Sequence, residues 1–360
     1  MTVSVARGPL VGLRVVEFAS IGPGPHCAML LSDLGAEVLR IDREGGNGWP
    51  NPFADRGRAS VTVDIRTEAG RGFCFETCDQ ADVLIEGFRP GVMERLNLGP
   101  DVLLKRNPRL VYGRMTGWGQ DGPLAQSAGH DINYIALTGA LAAIGRPGDP
   151  AVPPLNLLGD FGGGSMFLAF GIMAALFERE RSGKGQVVDA AIIDGVTSLM
   201  TFFAGAGANS RVPVDRARNM LSGAAPFYRC YICADGREIS IGAIEPQFYH
   251  QLLERIGAPD DIQSDQYNVA NWPERAAMLA RLFGSRPLEE WRSLLEGTDV
   301  CFAPVLTMEE ASEHPHMTAR GVYVDHGGVC QAAPAPRFSR TPGSIQDSRD
   351  VHELLASWRS

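Results

Sequence analysis

Two short stretches of the 360-residue chain place ionisable side chains of different kinds where a helix should begin. Gly129-His130-Asp131-Ile132-Asn133-Tyr134 sets an imidazole after a glycine and before Tyr134, Leu137 and Leu141, apolar positions at helical spacing. Asn156-Leu157-Leu158-Gly159-Asp160-Phe161-Gly162-Gly163-Gly164-Ser165 sets a carboxylate directly before a glycine run. An imidazole and a carboxylate facing each other would move a proton between the two faces of one carbon, and His130 and Asp160 are read as that pair. Each also has a plain structural reading, because a helix-start histidine often only caps or fills a core and aspartate is a favoured N-cap. The glycines after Asp160 weigh against it: they are poor helix formers, yet they leave backbone N–H groups open to an enolate or thioester oxygen. Glu245 closes a predicted hairpin and opens a helix, and by position alone reads as a helix cap.

The elements that must position this pair alternate strand and helix. Leu13–Phe18 reads as a buried strand, Gly22-Pro23-Gly24-Pro25 as a turn, His26–Leu34 as a helix and Ala36–Asp42 as a second strand. Val61–Ile65, Ala81–Phe88 and Leu110–Met115 read as further strands, with helices at Glu68–Cys78, Val92–Leu96 and Asp101–Arg106 between them. Repeated βα units predict a parallel sheet covered on both faces. Asp42, about twenty residues after the glycine turn, superficially copies a dinucleotide-binding fingerprint. The prolines in that turn argue against NAD, because the fingerprint uses glycines where a pyrophosphate and a helix must approach closely.

Beyond Met115, helices are expected from His130 to Ile144, from Phe161 to Glu180 and from Gly195 to Ala206, with a strand at Val187–Ile193. The apolar run Phe161–Phe177 is bounded by Asp160 and Glu178 and reads as a buried core helix, slightly short for a bilayer. Gly207–Gly223 looks like a connector. Phe227–Cys233 and Arg237–Gly242 flank Ala234-Asp235-Gly236 as a hairpin, followed by helices at Pro246–Ile256, Trp272–Phe283 and Leu288–Leu295 and a strand at Val300–Leu306.

A net charge of −9 and a pI near 5.3 disfavour nucleic-acid binding. The hydrophobic share of 44% and charged share of 21% are those of an ordinary globular protein. Met1–Leu10 lacks a secretory pattern, and seven scattered cysteines read as free thiols of a reducing cytoplasm. Cys230 and Cys233 form a lone C-x-x-C without a second pair, so no metal is expected. Arg43, Arg66, Arg89 and Arg95 lie at or just past predicted strand ends, where open α/β sheets bind ligands and where arginines hold phosphates.

Several of these segments coincide with one family. Ile21-Gly22-Pro23-Gly24-Pro25, Leu34-Gly35-Ala36-Glu37-Val38, Phe88-Arg89-Pro90-Gly91-Val92, Gly129–Tyr134, Gly159–Gly164 and Gly183-Lys184-Gly185-Gln186-Val187-Val188-Asp189 resemble the family III CoA-transferases of the CaiB/BaiF type and, within them, the α-methylacyl-CoA racemases. The Gly-His-Asp-Ile-Asn-Tyr string is the racemase-like part. Transferases of the family lack that histidine and use an aspartate, at the position of Asp160, as nucleophile.

The resemblance implies that His130 and Asp160 are the two catalytic bases and that Glu245, delivered by the partner subunit, hydrogen-bonds His130. It implies CoA contacts from Arg43, Val63, Asp64, Ile65, Arg66, Gly87, Phe88, Arg89, Arg95, Gly129, Asp131, Ile132, Asn133 and Tyr134. It implies an interlocked homodimer with the active site at the subunit interface. The large domain would be Rossmann-like, residues 1–206 and 325–360, the smaller α+β domain residues 224–312, and the connectors 207–223 and 313–324. The reaction implied is epimerisation of 2-methylacyl-CoA thioesters in the cytoplasm, without a metal or redox cofactor, nucleic acid or membrane; CoA is part of the substrate.

Overall fold

The computed structural model describes residues 7–46, 50–205, 212–259, 262 and 265–359. The chain divides into two compact units, Met1–Thr138 with Leu155–Leu199 and Gly321–Ser360, and Gly139–Pro154 with Met200–Arg320. Part of the predicted connector, residues 207–211, lies outside the described residues.

The first unit is built on strands β1 (Arg14–Phe18), β2 (Glu37–Asp42), β3 (Arg58–Thr62), β4 (Val83–Glu86), β5 (Val111–Thr116) and β6 (Val187–Ala191). They form one parallel sheet in the order β3-β2-β1-β4-β5-β6. β1 and β4 are buried along almost their whole length, Val15, Val16 and Phe18 in one and Val83, Leu84 and Ile85 in the other, together with the buried carboxylates Glu17 and Glu86, as strands covered on both faces require. The chain steps outward from β1 to β3 and then returns to β4 beside β1. The order therefore reverses between β1 and β4, the place where open α/β sheets bind ligands beyond their carboxyl ends.

Helix α1 (Pro23–Asp33) leaves β1 through Gly22, whose φ of 72° favours glycine, and begins on a proline that supplies the helical φ. Helices α2 (Glu68–Cys78), α3 (Val92–Arg95) and α4 (Pro100–Arg106) follow the predicted βα alternation. The third strand starts three residues earlier than the apolar pattern predicts, on Arg58. That guanidinium is fully buried but satisfied: its Nε donates to Glu17 Oε2 at 3.0 Å, and its other nitrogens donate to the carbonyls of Pro25, Ala54 and Arg56. Residues 63–66 consequently lie past the strand end.

Helix α5 (Asp131–Leu137) stops well short of Ile144, because Gly139 adopts φ 83° and breaks it; Ala140–Ala143 is a separate short turn. The predicted helix from Phe161 to Glu180 is two structures. Leu157–Ser165 is a π-helical run, and α6 (Met166–Ser182) continues from it. Nor is this helix buried all round. Leu168 and Ile172 are fully buried, whereas Phe170 is 73% and Phe177 70% exposed. Helix α7 (Ile192–Leu199) ends before the separate turn Thr201–Gly205.

The second unit carries an antiparallel sheet of Tyr228–Ile232, Glu238–Gly242 and Phe302–Pro304. Its hairpin turns through Gly236 at φ 77°, as the Asp-Gly signal predicts. Helices Pro246–Ile256, Trp272–Phe283 and Leu288–Leu295 stand at the predicted positions, and the core gathers Phe227, Tyr249, Trp272, Phe283 and Trp291.

Candidate active site

The segments that leave β1, β4 and β5 line a cavity of about 970 Å³ in the first unit, joined by the start of α5 and by the π-helical run. His130 and Asp160 both line it. The two ionisable groups picked from the sequence are thus brought to one pocket at the reversal point of the sheet.

His130 is the N-cap residue of α5, with extended backbone at φ −131° and ψ 174°. Its own N–H donates to Asn133 Oδ1 at 3.1 Å. The side chain is exposed at the cavity wall. Tyr134, one turn along α5, donates its hydroxyl to Gly129 O, and its ring meets Trp118 edge-on at 4.7 Å between centroids. Gly117 is what admits that ring: a Cβ there would stand 2.0 Å from Tyr134 Cζ.

Asp160 is not a helix cap. It lies inside Leu157–Ser165, where the wider π-turn sets its carboxylate toward the cavity. Asn156 Nδ2 donates to Asp160 Oδ2 at 3.2 Å. Burial raises the Asp160 carboxyl above its ordinary range; the Asn156 hydrogen bond opposes this, the Asp131 charge adds to it and His130 opposes it. A carboxyl with raised proton affinity is suited to acting as an acid.

The glycines around Asp160 serve packing. A Cβ on Gly163 would meet Val196 Cγ2 at 2.5 Å and Val196 N at 2.8 Å, and one on Gly195 would meet Gly163 O at 1.9 Å. The π-helical run and α7 therefore cross backbone to backbone. Two of the amides at the head of this run are already taken: Asp160 N–H donates to Asp131 Oδ2 at 2.7 Å and Phe161 N–H to Asn156 O at 3.2 Å.

A second imidazole lines the same cavity. His26, in the first turn of α1, has Nδ1 at 2.7 Å from the hydroxyl of the fully buried Ser165, and its ring lies 4.6 Å from that of Phe161. Burial and then the charges of Arg58 and Arg56 lower its proton affinity. The sequence carried a weak signal for it, the odd Gly-Pro-Gly-Pro-His helix start, and none for Ser165 or for the Asn156 contact.

Of the residues expected to hold CoA, Gly87, Phe88, Arg89, Gly129, Asn133 and Tyr134 line the cavity. Arg43, Asp64, Arg66 and Arg95 are exposed near strand carboxyl ends but outside its lining, as are the half-buried Val63 and Ile65 and the exposed Ile132. Arg43 Nε donates to Gly46 O at 2.8 Å, and Arg66 pairs with Asp64 at 2.8 Å. Asp131 is buried beneath the pocket instead of facing it. Glu245 belongs to the second unit, exposed as the N-cap of Pro246–Ile256, where its side chain makes no capping bond. Among the described residues no three His, Cys, Asp or Glu side chains are grouped so as to hold a metal ion.

The chain is 45% identical to "Alpha-methylacyl-CoA racemase" of Mus musculus over 95% of its length and 89% of the relative's. It is 43% identical to the Homo sapiens protein of that name over the same shares. Its fold is similar to the crystal structure of a CAIB/BAIF family protein from Brucella suis, with a TM-score of 0.83 and 26% identity, covering 98% of this chain and 99% of that one. Residues 10–349 match the family described as CoA-transferase family III, and the chain belongs to that family.

Proposed function

We propose that the protein is an isomerase interconverting (R)- and (S)-2-methylacyl-CoA thioesters by 1,1-proton transfer at C2, with His130 and Asp160 as the two acid/base residues. The observation that carries this reading is that an imidazole and a carboxyl of raised proton affinity line one cavity in a chain so similar to racemases. The thioester acidifies the C2 hydrogen. One residue removes that proton, and the conjugate acid of the other returns one from the opposite face, so that the carbon inverts through a planar enolate. One member must be protonated while the other is not, with roles exchanged between directions.

Glu245 from the partner subunit orients the His130 imidazole and stabilises its charged form; its exposed position without a capping bond leaves the carboxylate available. The homodimer has a surface to bury. Met166, Phe170, Met173 and Phe177, at helical spacing on α6, are between 38% and 73% exposed, more apolar side chain on one stripe than a lone surface helix carries. In this dimer the large domain is residues 1–206 and 325–360, the small domain 224–312, and segments 207–223 and 313–324 are the connectors. CoA, part of the substrate, lies along Arg43, Val63-Asp64-Ile65-Arg66, Gly87-Phe88-Arg89, Arg95 and the start of α5, where exposed arginines hold its phosphates. No metal or redox cofactor takes part. The enzyme works in the cytoplasm on a small-molecule substrate, without nucleic acid or membrane.

One epimer of a 2-methylacyl-CoA incubated in deuterated water should lose its configuration at C2 with deuterium uptake there; inversion without uptake contradicts the proposal. The second reading is a family III transferase that uses Asp160 as nucleophile, favoured only by the family match. Hydroxylamine with acyl-CoA inactivates a transferase by trapping its acyl-aspartyl intermediate, and should leave this protein active.

A further inference from the structure

Asp131 stands between the two proposed acid/base residues in a way their own positions do not require. It follows His130 in the chain and opens α5, and its side chain reaches across to the π-helical run. Oδ2 accepts the Asp160 N–H at 2.7 Å. Gly159 has no room for a side chain because of this: a Cβ there would stand 2.3 Å from Asp131 Oδ2. The residue is 7% exposed, and its second oxygen, Oδ1, is buried without a hydrogen-bond partner. A buried, half-satisfied carboxylate is costly to keep.

We propose that Asp131 is a positioning residue that couples His130 to Asp160, fixing where Asp160 stands relative to the start of α5 through the Asp160 N–H. It is not a CoA contact. This role rests on the proposed racemase reading.

The charge acts at close range. Asp131 adds to the proton affinity of Asp160, and burial raises the carboxyl of Asp131 itself. The other groups near Asp160 are His130, from the start of α5, Tyr134, one turn along it, the uncharged amide of Asn156, and His26 of α1, which lines the same cavity against Phe161 with its proton affinity lowered by burial. Arg89 acts on Tyr134. Helix α7, which packs against both elements, offers only Asp194, whose interaction is with Asp189. Tyr134 remains neutral through the working range because burial, and then Asp160, raise its phenol. Asp131 is therefore the neighbouring carboxyl whose replacement Asp160 should register.

The test compares kcat, KM and the pH profile of C2 hydrogen exchange for the wild type, Asp131→Asn and Asp131→Ala, each checked for folding by thermal unfolding. Asn keeps an oxygen for the Asp160 N–H and removes the charge. Its profile should keep its bell shape while the limb that belongs to Asp160 moves to lower pH, by a few tenths to about one unit, with kcat reduced only several-fold. Ala removes the tether as well and should lower kcat by about 100-fold or more with KM for the acyl-CoA nearly unchanged. Gly159→Ala, which displaces the tether and leaves the charge, should lower kcat without the acid shift. A wild-type pH profile in Asp131→Asn overturns the inference, as does a raised KM with intact kcat in Asp131→Ala. If Asp131→Ala does not fold, the Asp131→Asn profile alone decides. A wild type that exchanges no C2 hydrogen refutes the proposed function instead, so the two failures are distinct.

Discussion

Gly163→Ala is the sharpest probe of how the pocket is built. The added methyl would stand 2.5 Å from Val196 Cγ2 and 2.8 Å from Val196 N. The first atom could turn aside; the second is backbone of α7, so the π-helical run itself must move. Overpacking of this kind typically costs about 1–3 kcal/mol, and the backbone contact puts this case near the upper end. For a cooperative unit of this size, roughly 2–4 °C per kcal/mol predicts a fall in Tm of about 6–12 °C. The displaced segment carries Asp160 three residues upstream, and a misplacement of about 1 Å is worth about 100-fold in rate. Thermal unfolding and C2 exchange measured on the same sample should show both losses. Gly72→Ala is the control: it lies inside α2 with open space where its Cβ would sit, and should gain roughly 0.5–1 kcal/mol by helix propensity. A Gly163→Ala protein with the Tm and exchange rate of the wild type would refute the packing account of the glycine run.

Two further predictions concern buried charge. Glu17→Gln removes the anion paired with the fully buried Arg58 at 3.0 Å and should destabilise the protein by about 3–5 kcal/mol, read from urea unfolding. Glu86, buried beneath the 87–90 loop, accepts from Phe88 N–H at 2.8 Å and from Arg114 at 3.0 Å, and burial pushes its carboxyl up to about 7 from 4.5. Because the folded-state value lies above the unfolded one, its contribution to stability is fully present below pH 4.5 and is lost as pH rises through about 7. The Glu86 contribution to the unfolding free energy should therefore fall between about pH 4.5 and about pH 7 and level off above, and Glu86→Gln should flatten that part of the slope.

The sheet was legible because its strands are apolar runs separated by turn residues; β1, β2, β4 and β5 lie where pattern alone places them. Arg58 shows the limit of that signal. A strand can begin on a buried cation when a distant glutamate and three carbonyls satisfy it, and no local pattern announces such partners. The candidate site residues His130 and Asp160, which line one cavity, stood out by type and by their glycine-rich settings, but the reason for those glycines did not. Propensity marks Gly162-Gly163-Gly164 as a poor helix start; only the crossing with α7 explains how a π-helical run tolerates and uses it. Asp131, adjacent to His130 in sequence, carried no sign that it reaches the amide of Asp160, twenty-nine positions away. The exposed side of α6 was hidden because an apolar run reads alike whether it faces a core or another molecule.

Two bases working on opposite faces of one carbon are separated by isotope exchange measured from each epimer in turn. With both bases present, either epimer should exchange its C2 hydrogen and invert. His130→Ala should retain exchange without inversion from one epimer, Asp160→Ala from the other. Variants that exchange both epimers equally, or that still invert at the wild-type rate, would contradict the two-base arrangement.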